Sequence, residues 1–140
     1  MSKRTVDEVM TRELRTVTPD HSISEVKEIF EIEGFRHMPV VDADGLVGII
    51  SKSDLLRMMH GAKMMTARVE QHNTLIFEST TVGEVMTRDV KTVESEAPLS
   101  EAARIMIHFK LNAVPVTEDG AIIGMLTSTD IMREYIDTVR

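Results

Sequence analysis

The stretch Val6-Asp7-Glu8-Val9-Met10-Thr11-Arg12 returns as Val82-Gly83-Glu84-Val85-Met86-Thr87-Arg88, at an offset of 76 positions. Continued without a gap, this register makes 16 of the 52 positions from Val6 to Arg57 identical to their partners. Pro39/Pro115, Gly48/Gly124, Asp54/Asp130 and Arg57/Arg133 are among them. Self-similarity at a fixed period marks a duplicated structural unit. Two copies are too few for an extended solenoid, so the expected arrangement packs them face to face about a pseudo-two-fold axis. A cleft between the copies would then carry paired sites.

Each copy reads the same way. Leu14-Arg15-Thr16-Val17 and Val90-Lys91-Thr92-Val93 alternate as short strands do. A helix follows: Ser22 and Glu25 form a capping-box pattern, Ile23, Val26, Ile29 and Phe30 fall at helical spacing, and Gly34 is the stop. The second copy has Pro98 at the cap and the stripe Leu99, Ala102, Ala103, Met106. Met38-Pro39-Val40-Val41, a turn at Asp42-Ala43-Asp44-Gly45 and Leu46 to Ile50 predict a hairpin, repeated by Val114 to Thr117, Glu118-Asp119-Gly120 and Ala121 to Leu126. A second helix opens around Ser51 to Asp54 and Thr127 to Asp130. The predicted class is α+β, β-α-β-β-α in each copy.

Composition bounds the function. The 140 residues suit one module, and 42% hydrophobic with 28% charged residues is the balance of a globular chain. A net charge of −7 argues against nucleic acid, whose phosphates demand clustered Lys and Arg. With no cysteine there is neither a disulfide framework nor a thiolate metal site, and with no secretory signal pattern the expected compartment is the cytoplasm. No apolar run approaches the ~18 residues that span a bilayer, so no membrane partner is expected.

The succession V-x-E-V-M-T, a helix, then Met38-Pro39-Val40-Val41-Asp42 with Gly48-Ile49-Ile50-Ser51-Lys52-Ser53-Asp54, and again Val114-Pro115-Val116-Thr117-Glu118 with Gly124-Met125-Leu126-Thr127-Ser128-Thr129-Asp130, resembles the CBS (cystathionine-beta-synthase) motif. In tandem the copies resemble a stand-alone CBS pair, or Bateman module: residues 1–140 as one module, motif 1 at 5–57, a linker at 58–80 and motif 2 at 81–133. The resemblance implies a regulatory module that binds an adenosine-containing ligand (AMP, ADP, ATP, NAD or S-adenosylmethionine) between the motifs. It implies no covalent cofactor and no catalysis, and a regulated protein partner that the sequence does not name.

The element G-h-h-[ST]-x-x-D has two readings. In one, Ser51 with Asp54 and Thr127 with Asp130 are capping boxes that start helices. In the other, Asp54 and Asp130, as ionised acceptors, take both hydroxyls of a ribose, while hydroxyls and free amides at the helix start face phosphate. The two are compatible. By resemblance, Thr5 and Thr81, opening the motifs, and Arg36-His37 and Asn112-Ala113, ahead of the prolines, form the base- and phosphate-contacting edges. The family pairing joins Asp130 to Thr5, Arg36 and His37, and Asp54 to Thr81, Asn112 and Ala113. Arg36 is always cationic and His37 charges near neutrality, so the Asp130 site is expected to prefer the more phosphorylated ligand. The bland readings are cap or strand residues for the threonines and a solvated charge for Arg36.

Other chemistry finds little support. The five histidines (His21, His37, His60, His72, His108) show no H-x-H or H-E-x-x-H spacing for a metal, and no nucleophile with a base stands out. Glu25, Glu28, Glu31 and Glu33 read as a wet helix face. The Met-rich stretch from Met58 to Met65 reads either as core or as a homodimer surface, which C2 symmetry would make self-complementary. The alternative to a ligand sensor is a ligand-free dimerisation or docking module, with a small enzyme behind both.

Overall fold

Along the chain, the first regular element is a single helical turn, α1 (Val6–Val9), capped by Thr5. Helix α2 (Ile23–Glu33), the hairpin β1 (His37–Asp42) and β2 (Gly45–Ser51), and helix α3 (Lys52–Met65) complete the first copy. The second repeats it with α4 (Val82–Val85), β3 (Val93–Glu94), α5 (Leu99–Phe109), β4 (Ala113–Glu118), β5 (Ala121–Thr127) and α6 (Ser128–Thr138). This computed structural model describes residues 4–65 and 78–139, the side chains of 59–65 excepted.

Local chemistry explains the boundaries. Ser22 caps α2 by accepting the Glu25 amide at 3.2 Å, and Gly34 ends it in the left-handed conformation, φ 77°. Helix α5 starts at Pro98 with no side-chain cap and ends on Lys110, φ 58°. A left-handed non-glycine costs about 1–2 kcal/mol, recovered here by the Schellman-type bond from the Leu111 amide to the Met106 carbonyl, 2.8 Å. The apolar stripes face inward: Ile23, Val26 and Phe30 on α2, and Leu99, Ala102 and Met106 on α5, are buried. All four glutamates of the wet face are exposed. In the first hairpin turn the Asp44 amide donates to the Asp42 side chain at 2.8 Å; in the second, Asp119 (φ 52°) and Gly120 (φ 83°) supply the paired positive φ that a tight hairpin uses.

One sequence expectation is corrected. Leu14–Val17 and Val90–Val93 are not strands: the first makes only the parallel bridge Val17↔Val40, and the second contributes Val93 to a two-residue strand paired with Val116 and Thr117. In each segment a single valine turns into the core, while Thr16 and Thr92 stay exposed. The alternation therefore marks a short edge contact.

The chain forms two compact units, residues 15–89 and residues 1–14 with 90–140. The opening turn of each copy is thus packed into the body of the other copy. Val82 and Met86 join Val17, Ile23, Met38, Val40 and Ile50 in one core; Val6 and Met10 join Leu99, Val114, Val116 and Leu126 in the second. Backbone bonds fasten the exchange. Thr87 pairs with Ile49 (3.0 and 2.9 Å) and Thr11 with Met125 (2.8 and 2.9 Å). The glycines shared by both copies of the repeat make room for it: a Cβ on Gly48 would stand 2.5 Å from Met86 Sδ and 2.9 Å from the Thr87 carbonyl, and one on Gly124 2.5 Å from Met10 Sδ and 2.9 Å from the Thr11 carbonyl. Helix α3 runs to Met65, past the start of the linker read from the sequence; Met58 packs on the core, and the other side chains of the Met-rich stretch lie outside the described residues.

Candidate functional site

The helix starts that carry the two aspartates are built alike. Ser51 Oγ accepts the Asp54 amide at 3.1 Å, and the Ser51 amide donates to Asp54 Oδ2 at 2.9 Å. Thr127 Oγ1 accepts the Asp130 amide at 3.1 Å, and the Thr127 amide donates to Asp130 Oδ2 at 3.0 Å. The capping-box reading is realised twice. It does not exhaust either group: an ionised carboxylate offers about four acceptor sites, and a hydroxyl that accepts a cap bond keeps its own proton to donate.

Beyond the caps the two carboxylates differ. Asp130, 7% exposed, accepts the Thr11 hydroxyl at 3.2 and 3.3 Å, with the Arg133 guanidinium at 3.8 Å. Asp54, its side chain 16% exposed, is in direct ion-pair contact with Arg57. Sequence reasoning passed over Thr11, Arg57 and Arg133 as site residues. The signal was there, an Asp-x-x-Arg spacing that places both groups on one helix face, repeated in both copies.

The candidate residues divide evenly between the units. Residues 15–89 hold Arg36, His37, Ser51, Asp54 and Thr81; the other unit holds Thr5, Asn112, Ala113, Thr127 and Asp130. In the first, His37 pairs across the hairpin with Ser51, and the Arg36 carbonyl accepts the Lys52 amide at 2.9 Å. In the second, Ala113 pairs with Thr127, and the Asn112 carbonyl accepts the Ser128 amide at 2.9 Å. Within its own unit, then, Asp54 has Arg36 and His37 for neighbours, and Asp130 has Asn112 and Ala113. The amides of Lys52 and Ser128, expected to be free for phosphate, are spent on these carbonyls.

Electrostatics qualifies two more expectations. Burial holds His37 below its usual pKa, with Asp54 pulling it up and Arg36 pushing it down, so its imidazole gives up its proton more readily than an ordinary histidine. Thr5 and Thr81 are caps: the Thr5 amide donates to Glu8 Oε1 at 2.9 Å and the Thr81 amide to Glu84 Oε2 at 3.2 Å. The Thr5 amide, and after it the Thr5 hydroxyl, keep the Glu8 carboxyl below the ordinary range. Among the described residues no group of three or more His, Asp or Glu is placed to hold a metal ion, and no helix is long and apolar enough to cross a membrane. A largely apolar groove of about 390 Å³ between α5 and α6, lined by Leu99, Ala103, Ile131, Tyr135 and Val139, contains none of the candidate site residues.

Comparison with known proteins places this geometry. The chain resembles the CBS-pair protein CBSX2 of Arabidopsis thaliana (29% identity, 99% of each chain covered, TM-score 0.82), which has also been crystallised in complex with AMP. It resembles equally the CBS domain pair of protein MJ0100, solved with 5'-methylthioadenosine and S-adenosyl-L-methionine (27% identity, 98% of this chain and 99% of that one, TM-score 0.78). Among curated relatives, MJ1225 of Methanocaldococcus jannaschii is 28% identical over 93% of this chain. This chain spans less than half the length of such relatives, 46% for MJ1225, and where they are enzymes the match covers only a part of them, 22% for the inosine-5'-monophosphate dehydrogenase of Korarchaeum cryptofilum. The CBS domain family model matches residues 6–61 and 82–137, and with an α+β architecture of two such repeats the chain belongs to the CBS domain family.

Proposed function

We propose that this chain is a regulatory module that senses an adenosine-containing ligand (AMP, ADP, ATP, NAD or S-adenosylmethionine) and does not turn it over. The observation that carries the reading is the pair of helix-starting carboxylates, Asp54 and Asp130. Each keeps acceptor capacity beyond its cap, in a family whose solved pairs hold AMP, S-adenosylmethionine and 5'-methylthioadenosine. The vicinal hydroxyls of a ribose are two donors at the separation of two carboxylate oxygens. Ser51 and Thr127 retain hydroxyl protons for phosphate, Arg36 supplies charge, and Thr5, Thr81, His37, Asn112 and Ala113 complete the contacts. The ligand is exchangeable and no covalent cofactor is involved. A thermal-shift panel with these five ligands tests the reading, because a ligand at a hundred times its Kd raises native stability by about 2.7 kcal/mol; no shift with any of them removes it.

The second reading, a dimerisation or docking module for a partner protein, is favoured by one observation. Helix α6 and its end expose Met132, Tyr135, Ile136 and Val139, and α3 exposes Leu56, the repeat equivalent of Met132. Scattered apolar residues are ordinary on a surface, but a run along one helix face is a binding surface. The occupant we propose is a second copy of this chain, in the cytoplasm. Light scattering at tens of micromolar decides it, a monomeric mass being the contrary result.

A further inference from the structure

We infer that Arg57 is a selectivity residue of the Asp54 site: it occupies the carboxylate that a ribose must take, whereas the equivalent carboxylate, Asp130, is held by an exchangeable hydroxyl. This rests on the reading of Asp54 and Asp130 as ribose acceptors. The two carboxylates stand at the same position of a repeat, with a threonine and an arginine at equivalent positions in each copy. Thr87 is the counterpart of Thr11, and its backbone is pinned to Ile49 as Thr11 is pinned to Met125. Arg57 is the counterpart of Arg133, and both side chains are 73% exposed. Yet Asp54 is closed by the guanidinium of Arg57, while Asp130 takes the Thr11 hydroxyl at 3.2 Å and leaves Arg133 at 3.8 Å.

The chemical consequence differs between them. At Asp130 a ribose hydroxyl replaces a threonine hydroxyl, neutral donor for neutral donor. At Asp54 it replaces a cation, and the ion pair must open first. A pair with one partner this exposed is worth no more than about two- to fivefold in affinity, and it weakens as salt screens it. An uncharged nucleoside therefore fills the Asp130 site before the Asp54 site.

Calorimetry with adenosine tests this in backgrounds that isolate each site. Asp130→Asn leaves the Asp54 site, and Asp54→Asn leaves the Asp130 site, the amide oxygen preserving each cap. In the Asp130→Asn background, Arg57→Met should tighten adenosine by two- to fivefold, and Arg57→Lys by less. In the same background without that change, adenosine affinity should rise between 50 and 500 mM salt, a dependence that Arg57→Met abolishes. In the Asp54→Asn background Arg133→Met should leave affinity within error. An unchanged or weakened affinity on Arg57→Met, or an equal gain on Arg133→Met, overturns the inference alone. Absence of adenosine and nucleotide binding to the unsubstituted chain overturns the reading of the site and this inference with it.

Discussion

Replacing Gly124 by alanine probes the contact on which the second unit is built. The added methyl would lie 2.5 Å from Met10 Sδ and 2.9 Å from the Thr11 carbonyl oxygen. A methionine end can swing aside; the Thr11 carbonyl, which accepts the Met125 amide at 2.9 Å while the Thr11 amide donates to the Met125 carbonyl at 2.8 Å, can move only by straining that bridge. Overpacking of this kind costs about 1–3 kcal/mol, and loosening one strand-type bond adds about 1, so Gly124→Ala should destabilise by roughly 2–4 kcal/mol. Met10→Ala alone should cost about 2–3 kcal/mol, since Met10 is buried and its removal leaves a cavity. The double substitution should fall short of the sum by about 1 kcal/mol, because losing the sulfur relieves one clash and leaves the carbonyl clash in place. Urea unfolding followed by circular dichroism measures all three. The same displacement should draw the Thr11 hydroxyl away from Asp130, so the damage extends to the site. A neutral Gly124→Ala, or strict additivity with Met10→Ala, would refute the packing of the Met10 segment under β5.

Asp130→Ala removes both halves of a capping box and should cost about 1–2 kcal/mol, while Asp130→Asn keeps most of that stability but loses ionised acceptance, which thermal unfolding and ligand titration together separate. Lys110→Gly should stabilise by about 0.5–1 kcal/mol, the relief of a left-handed lysine less the added freedom of the unfolded chain, read as a rise in the urea midpoint. For His37 the folded pKa lies below the unfolded value near 6.5, so the unfolded chain binds the extra proton: stability is full above about pH 6.5 and declines as pH falls through the folded pKa. His37→Asn should flatten the stability profile in that window, and an unchanged slope between pH 7 and 5.5 would be the contrary result.

Much of this was legible in the chain because it was written twice. The offset fixed the copies, the stripes of α2 and α5 gave the inward faces, and Asp42-Ala43-Asp44-Gly45 and Glu118-Asp119-Gly120 gave the hairpin turns. What escaped were features that periodicity does not encode. The exchange of opening turns is invisible in a linear register, because a repeat says which residues are equivalent and not which copy packs against which. The Met-Thr of one copy and the glycine of the other look like separate motifs until a Cβ is placed on Gly48 or Gly124. Likewise Leu14–Val17 alternates as a strand does, but only Val17 has a partner strand to bridge. At the site, the Ser/Thr-x-x-Asp spacing served the capping and ribose readings equally, and geometry showed that the cap is made and that acceptor sites remain. The downward shift of the His37 pKa is a burial effect that no spacing reveals.

The central claim, that Asp54 and Asp130 hold the ribose of an adenosine-containing ligand, is tested most directly by isothermal calorimetry with AMP and S-adenosylmethionine. The unsubstituted chain and the Asp54→Asn/Asp130→Asn double variant are compared, both verified as folded. Binding tighter than about 1 mM, a limit worth about 4 kcal/mol, by at least one ligand and its loss in the double variant is the predicted result. Binding that survives undiminished in the folded double variant, or no binding by the unsubstituted chain, would contradict it.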